Sequence, residues 1–409
     1  MLAHVLFFVA ALAVRQDQTP LHSGCESDDS VVATLPAGTP VEVRFRLSDG
    51  SDCYKIAATV EGKQVLGYVP ASALTGVESF EKETSSAGSV GAAAQALEPA
   101  VAVSKDVIAR LGDPTLDHAV QLMTTNQFAE ALGLLETIAQ RRPHDANILT
   151  LAGLAAYRAD QLKLALDYLQ QAQDIAPNPA LADAYKRIKR EADADHSDGK
   201  LIGVHIALRY EDQGLPADTA RAILTTLDAE YDNVSAQLGC SPGERIVAIV
   251  QSRESYLRST GAAEWSGGLY DGRIHIAWWE GVNVGPEIHR ALTHELVHAC
   301  LTSMPSGGTP WPAWLQEGLA QKLSGDTLPS SERDQLRQLT ANHQIPRLEN
   351  LRQDWSRLST ANARAAYALA LAAADALYDN YAAYGIRNIL NNPQTLPRIT
   401  ADLDSKLGF

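Results

Sequence analysis

Positive charge is what this sequence lacks most clearly. Its 409 residues include 34 Lys and Arg against 49 Asp and Glu, which gives a formal net charge of -15. Proteins that bind nucleic acid or an anionic membrane through general electrostatics need an excess of Lys and Arg. Because the sequence has neither this excess nor a basic cluster, we exclude both classes and predict no nucleic-acid partner.

Long hydrophobic runs are also scarce. The only one, VLFFVAALAV at residues 5–14, is too short to span a bilayer but matches the length of a signal-peptide core. Ala11 to Ala13 supply a small-x-small cleavage pattern, although only His4 stands where a positive charge is expected. We therefore predict a signal peptide at 1–13, an exported protein (periplasmic, cell-envelope or secreted) and no transmembrane span. A buried N-terminal helix or strand is the alternative.

Cysteine occurs only four times. In an exported protein cysteines can pair, and pairing within one domain would join Cys25 to Cys53 and Cys240 to Cys300. Connectivity is not readable from a sequence, so buried free thiols are the alternative for the second pair.

Hydrophobic residues make up 45% of the chain, enough for more than one core and for about two to four domains. Residues 20–75 read as short strands separated by turns such as LPAGTP at 35–40. With the closing segment GYVPASAL at 67–74, this region resembles the bacterial Src-homology-three-like domain. The resemblance implies a small β-barrel that tethers an enzyme to cell wall or to a peptide; a barrel that merely packs is the alternative.

The next two segments differ sharply in composition. Residues 76–105 are rich in Ser, Gly, Ala and Glu and predict a flexible linker. Residues 106–198 are helical and repeat: Ala131-Leu132 recurs 34 residues later as Ala165-Leu166. This period resembles the tetratricopeptide repeat, with two repeats and a capping helix. So short an array should pack on a neighbour, and we favour a spacer over a peptide-docking groove.

The order of elements changes again after residue 200. Strand patterns at 204–210 and 245–250 enclose a helix at 216–238, and a turn at Asp271-Gly272 opens a further strand. A helix should then run from Pro286 to about Leu301. This order predicts an α+β catalytic subdomain at 200–325, followed by a helical C-terminal subdomain at 326–409 that forms a wall of the cleft.

The predicted helix carries the motif HELVH at 294–298. His294 and His298, four residues apart, project from one helix face and can converge on a single cation. Glu317 follows a Gly- and Pro-rich turn, so it can complete the site from a second helix. Zinc suits two imidazoles and a carboxylate with a fourth position open, and it lowers the pKa of a water to about 7. Glu295 is placed to take that water's proton as a general base.

This motif, followed by PAWLQEGLA at 312–320, resembles the gluzincin peptidases. Among them it is most similar to the peptidase-MA-like domain, which is often found beside tetratricopeptide repeats, and GGLYDGRI at 267–274 is similar to that family's strand before the zinc helix. The resemblance implies a thermolysin-like core in which His294, His298 and Glu317 bind zinc. It also implies that Glu295 is the general base and that the strand near 274–278 lines the cleft.

Other residues around the predicted ligands suggest how the rest of the site is built. Gln321 stands where thermolysin-like enzymes often have an aspartate that orients a histidine; a glutamine carbonyl can still accept the imidazole N–H, though more weakly than a carboxylate. Tyr367 is our candidate for stabilising the oxyanion, with a packed aromatic residue as the alternative. His275 and His289 are expected to be structural.

Together these patterns predict a multidomain zinc metallopeptidase that acts on a peptide or protein substrate. The N-terminal modules would contact cell wall or a protein partner. One alternative is a cell-envelope binding or scaffold protein whose peptidase-like domain is inactive. Another keeps the zinc as a structural ion, which needs a fourth ligand such as Cys300.

Overall fold

The chain forms a mixed α/β structure of helices and several small sheets. No helix within the described ranges combines the length and hydrophobicity that a bilayer span requires. The computed structural model describes residues 12–24, 29–46, 53–60, 62–77, 113–211, 214–241, 243–261, 268–278, 284–304, 306, 310–342, 347–351 and 360–408.

Short strands build the N-terminal part, as the alternating pattern predicts. Five of them form an antiparallel sheet in the order β3-β2-β6-β5-β4, and β1 pairs with β7. The strands are β1 (Ala13–Val14), β2 (Thr19–His22), β3 (Val31–Leu35), β4 (Val41–Arg46), β5 (Cys53–Val60), β6 (Lys63–Pro70) and β7 (Leu74–Thr75).

The expected closed barrel is not found among the described strands. The β1–β7 pair is a separate two-stranded sheet, which reaches β4 only at its start. There Val14 donates its N–H to Thr39 O at 3.0 Å, and Val41 donates to Leu12 O at 3.0 Å. These few bonds are too short a ladder to close the sheet, so the two sheets share a core without forming a barrel.

The predicted signal peptide overlaps this core. Leu12 and Val14 are buried in it, and residues 1–11 lie outside the described residues. Cleavage after residue 13 would remove the buried Leu12 and one of the two residues of β1. No described residue tests whether cleavage occurs, so the signal peptide stays a prediction. The predicted linker at 76–105 also falls outside the described residues, apart from 76 and 77.

The repeat region consists of five helices, as the 34-residue period indicates. Asp113, Asp145 and Asn178 cap the first, third and fifth helices by accepting backbone N–H groups. A Cβ on Gly153 would lie 2.6 Å from Leu169 Cγ, so this position needs glycine for close packing. The helices are α1 (Pro114–Thr124), α2 (Phe128–Arg141), α3 (Ala146–Arg158), α4 (Leu162–Ile175) and α5 (Pro179–Ala194).

The repeat helices pack on the domain that follows them, as expected for so short an array. Asn126 and Asp160 occupy equivalent turns of the two repeats, and both have positive φ (57° and 61°), which Asn and Asp tolerate. Asn126 donates to Ser303 O at 3.3 Å, and Asp160 accepts from Arg209 at 2.8 Å. Both turns therefore lie against the domain that begins near residue 199.

That domain is built on a five-stranded sheet in the order β11-β12-β10-β9-β8. The strand β10 is parallel to β9 and β12, while β11 and β8 add antiparallel strands at the two sides. Both β8 and β11 are short and were not predicted as separate strands. The strands are β8 (Gly199–Ile202), β9 (Ile206–Tyr210), β10 (Ile246–Ser252), β11 (Gly268–Tyr270) and β12 (Ile274–Trp278).

Helices cover the sheet and share one continuous hydrophobic core with it, from Ile206 to Leu403. The motif helix runs from Pro286 to Thr302, within one residue of the expected end. The last long helix is interrupted at Ala382, where φ is 49° and ψ is -179°. These helices are α6 (Ala217–Leu238), α7 (Arg253–Thr260), α8 (Pro286–Thr302), α9 (Ala313–Leu323), α10 (Ser330–Ala341), α11 (Thr360–Asn391) and α12 (Leu396–Lys406).

A disulfide joins Cys240, just after α6, to Cys300 in α8. This confirms the second expected pair. Cys53 is also disulfide-bonded, and Cys25, its expected partner, lies outside the described residues.

Candidate metal centre

The two helices that carry the predicted ligands are almost entirely buried. In α8, Leu292, Leu296 and Cys300 have no exposed surface, which fixes the rotation of the helix against its neighbours. In α9, a Cβ on Gly318 would collide with the carbonyl of Ala370 in α11. Gly318 therefore allows α9 to approach α11 closely.

His294, His298 and Glu317 come together between α8 and α9, as the motif predicts. Glu317 Oε2 lies 3.5 Å from His294 Nε2 and 3.8 Å from His298 Nε2, and the three ligand atoms lie within 4.8 Å of one another. Two donors that are each about 2.0–2.2 Å from a tetrahedral zinc ion stand about 3.3 Å apart. The separations of the two imidazole nitrogens from the carboxylate oxygen are therefore close to those of a zinc site.

The burial of His298 and its lack of hydrogen bonds suit a metal ligand. Its side chain is 2% exposed, and neither ring nitrogen has a hydrogen-bond partner among the described residues. Burial lowers the pKa of this imidazole to about 4, so it is neutral and has a lone pair to give. A buried polar group without a partner is costly unless something binds it, and a metal ion placed against Glu317 would satisfy it.

His294 differs because it is partly exposed and lies among carboxylates. Burial lowers its pKa, but the contact with Glu317 and the charges of Glu295 and Glu317 outweigh this and raise it to about 9. Without a metal, His294 therefore carries a proton at neutral pH. A metal ion that binds here displaces this proton.

Glu295 lies beside the three ligands and against β11. Burial raises the pKa of its carboxyl to about 7, and the charge of His294 opposes this rise. The backbone N–H of Tyr270 donates to Glu295, and a Cβ on Gly268 would lie 3.1 Å from Glu295 Oε1. A carboxylate with a pKa close to neutral can both take and release a proton at physiological pH.

Tyr367, the candidate oxyanion group, lies on α11 close to the same carboxylates. Burial raises the pKa of its phenol well above 10, and the charges of Glu317 and Glu295 raise it further. The phenol is therefore a neutral hydrogen-bond donor near the metal ligands. Its role in stabilising an oxyanion stays a prediction.

Gln321 makes a different contact from the one that the sequence allows. Its side-chain amide donates to Glu317 O at 3.2 Å and to Tyr367 O at 3.1 Å, which joins α9 to α11. Within the described ranges, no hydrogen bond joins its carbonyl to a histidine ring. The side chain points toward α11 instead of α8, so it does not make the contact with a histidine that the sequence allows.

Asp326 is a residue that the sequence analysis missed. It is 6% exposed and follows α9, where its backbone N–H donates to Gln321 O at 2.9 Å. Its carboxylate contributes to the raised pKa of His294. The available signal was Gly325, whose φ of 90° ends the helix and turns the following acidic residue back toward the site.

Other candidate ligands do not join the group. His275 is buried and contacts Asp271 at 3.2 Å, and His289 lies 3.6 Å from Glu230 on the far side of α8 from the described metal group. Both fit the expected structural roles. Cys300 is tied to Cys240, so it is not available as a fourth ligand for a structural zinc ion.

Comparison with known proteins adds no relative. No family model matches the chain, and no curated protein is significantly similar to it. The fold and the site define a mixed α/β protein in which the partly exposed His294 and the buried His298 and Glu317 form a group that could hold a metal ion. What the protein does must be inferred from these residues.

Proposed function

We propose that this protein is a zinc-dependent peptidase. The observation that supports it most is the convergence of His294, His298 and Glu317 beside Glu295, a buried carboxyl with a pKa of about 7. The resemblance of the two motifs to the gluzincin peptidases supports the same function. It also favours a thermolysin-like arrangement for the sheet and α8 to α11, with tetratricopeptide-like and Src-homology-three-like units in front.

Zinc is the metal that this set of donors favours. Two imidazoles and one carboxylate are the ligands of a catalytic zinc site, in which a fourth position stays open. With Cys300 held in a disulfide, no described cysteine can close that position. Bound zinc would polarise the scissile carbonyl and lower the pKa of a water molecule to about 7.

Glu295 moves the proton. As the water oxygen bonds to the carbonyl carbon, Glu295 accepts the proton that the water loses. When the C–N bond breaks, Glu295 gives this proton to the leaving amine, so the carboxylate is restored. Its burial and raised pKa suit both steps.

Tyr367 donates a hydrogen bond to the carbonyl oxygen as negative charge develops there. Its neutral phenol and its closeness to Glu317 and Glu295 favour this role. Removing one such donor should lower kcat by about a hundredfold.

We also propose that the protein is exported. The Cys240–Cys300 disulfide supports this location, because disulfides persist in oxidising compartments. The rival function, an inactive domain on a cell-envelope scaffold, is less favoured. The metal-binding group and the neighbouring Glu295 are both complete, which an inactive domain would not need.

The test combines metal analysis with cleavage of a mixed peptide library. We expect about one zinc ion per chain and cleavage that a chelator abolishes. Glu295→Gln should keep the zinc and lose at least about a hundredfold in rate. Glu254→Gln, an exposed glutamate on α7, is the matched control and should cleave normally. Zinc without cleavage, or full cleavage by Glu295→Gln, would refute the proposal.

A further inference from the structure

A buried charged cluster lies between the repeat helices and the zinc-site sheet. Arg273 has no exposed surface, and Tyr157, Glu191 and Asp271 are each less than 5% exposed. Buried charges are retained at a cost, so each member needs its partners in a defined geometry. Such a cluster fixes the relative position of the elements that carry it.

The contacts in this cluster cross from α3 and α5 to the turn between β11 and β12. The Tyr157 hydroxyl lies 3.0 Å from Glu191 Oε2 and 3.2 Å from Asp271 Oδ1, so its single proton is shared between two carboxylates. Arg273 donates to Glu191 Oε1 at 2.7 Å and to the Tyr157 carbonyl at 2.7 Å. The Arg273 guanidinium also lies over the Tyr157 ring, 4.5 Å from its centre.

The turn itself allows little freedom. Asp271 and Arg273 flank Gly272, whose φ of 108° requires glycine. A Cβ on Gly272 would lie 3.0 Å from Arg158 Cδ, so a side chain of α3 also covers the turn. Asp160, in the turn after α3, lies 3.2 Å from Arg273. Residues of the repeat helices and of the turn after α3 therefore contact all three residues of this turn.

The same hairpin contacts Glu295 through β11. Tyr270 donates its backbone N–H to this carboxylate, and Gly268 leaves room for it. A general base must be held within a fraction of an ångström of its working position. The position of the Glu295 carboxylate therefore depends on β11. The position of β11 in turn depends on the turn that the repeat helices hold.

We propose that the repeat unit is a fixed support for the β11–β12 hairpin, in which Tyr157 and Arg273 are positioning residues for Glu295. The unit is then part of the catalytic domain and not a spacer. This inference rests on the proposed peptidase function for its effect on catalysis. Its structural half, the support of the hairpin, is measurable without any substrate.

Tyr157→Phe tests this proposal, because it removes the hydroxyl and keeps the ring against Arg273. The measurements on the zinc-loaded full chain are amide hydrogen exchange over residues 268–278, zinc affinity, and kcat and KM. We expect faster exchange in this segment and about tenfold lower kcat, with zinc affinity and KM within about twofold of wild type. Tyr168→Phe, a partly buried tyrosine of α4, is the matched control.

Arg273→Lys is a second variant that keeps the charge but loses the paired donors of the guanidinium. It should increase exchange over 268–278 and lower kcat in the same way. If both variants match Tyr168→Phe in exchange and in kcat, the proposal is wrong, although peptidase activity stands. If wild type cleaves nothing but both variants loosen the hairpin, the peptidase function fails while the support of the hairpin stands.

Discussion

Removing zinc should leave a protein whose stability depends strongly on pH, because His294 then holds a proton among carboxylates. The folded chain raises the pKa of this imidazole from 6.5 to about 9. A group whose pKa is raised on folding stabilises the protonated protein. This stabilisation is fully present below pH 6.5 and is lost as the pH rises through 9.

The size of the effect follows from the pKa difference. One pKa unit corresponds to about 1.4 kcal/mol, so the protonated imidazole contributes about 3 kcal/mol to the free energy of unfolding. Glu295 also destabilises the protein as it ionises, but it does so mainly between pH 4.5 and about 7. The range from pH 7 to 9.5 therefore isolates His294.

The assay is urea unfolding of the chelator-treated protein at several pH values, followed by tryptophan fluorescence. We expect the free energy of unfolding to fall by about 2–3 kcal/mol between pH 7 and 9.5. His294→Asn should abolish most of this fall, whereas His289→Asn, an exposed histidine of the same helix, should keep it. The reasoning is refuted if His294→Asn and wild type lose the same amount.

Two further predictions concern residues around the site. Asp326→Asn removes a negative charge that acts on His294, so it should weaken zinc binding by about tenfold, measured by competition with a chromogenic chelator; unchanged affinity would show that Asp326 does not support the ligand. Replacing both Cys240 and Cys300 by Ser opens a loop with a sequence separation of 60 and should lower the free energy of unfolding by about 4 kcal/mol while zinc still binds. Loss of zinc binding in the folded double variant would contradict this separation of roles.

The ligands were readable from the sequence because their geometry is local. His294 and His298 share a face on any helix, and the helix that carries Glu317 follows a turn that brings it back. These rules need no knowledge of distant contacts. The strands β9, β10 and β12 were predicted for the same reason, since alternation and turn residues are local signals.

The direction of a side chain across a helix interface was not readable in this way. Gln321 and Asp326 are five residues apart, yet the first points to α11 and the second acts on His294. The direction of Gln321 depends on how α9 packs against α11 at Gly318, whereas the direction of Asp326 depends on the turn at Gly325 after the helix. The hydrogen bond between Tyr157 and Asp271 spans 114 residues, and no periodicity predicts such a pair.

The resemblance to the Src-homology-three-like domain implied that the N-terminal strands close into a barrel. The described strands do not close, because β1 and β4 are hardly paired. Among the described residues, the link there is a single bridge between Ala13 and Pro40 with three backbone hydrogen bonds around it. Closure depends on strand length and stagger, which a pattern of alternating residues does not specify.

The equivalent turns at Asn126 and Asp160 restrict where a further repeat could be inserted into the chain. They are one repeat apart, and each contacts a different part of the unit that begins near residue 199, Ser303 after α8 and Arg209 in β9. The distance between Ser303 and Arg209 therefore suits two turns that are separated by one repeat. A repeat added before α1 would leave both contacts in register, whereas one inserted between α2 and α3 would pull them apart. The number of repeats between the two turns is thus set by the dimensions of the other domain.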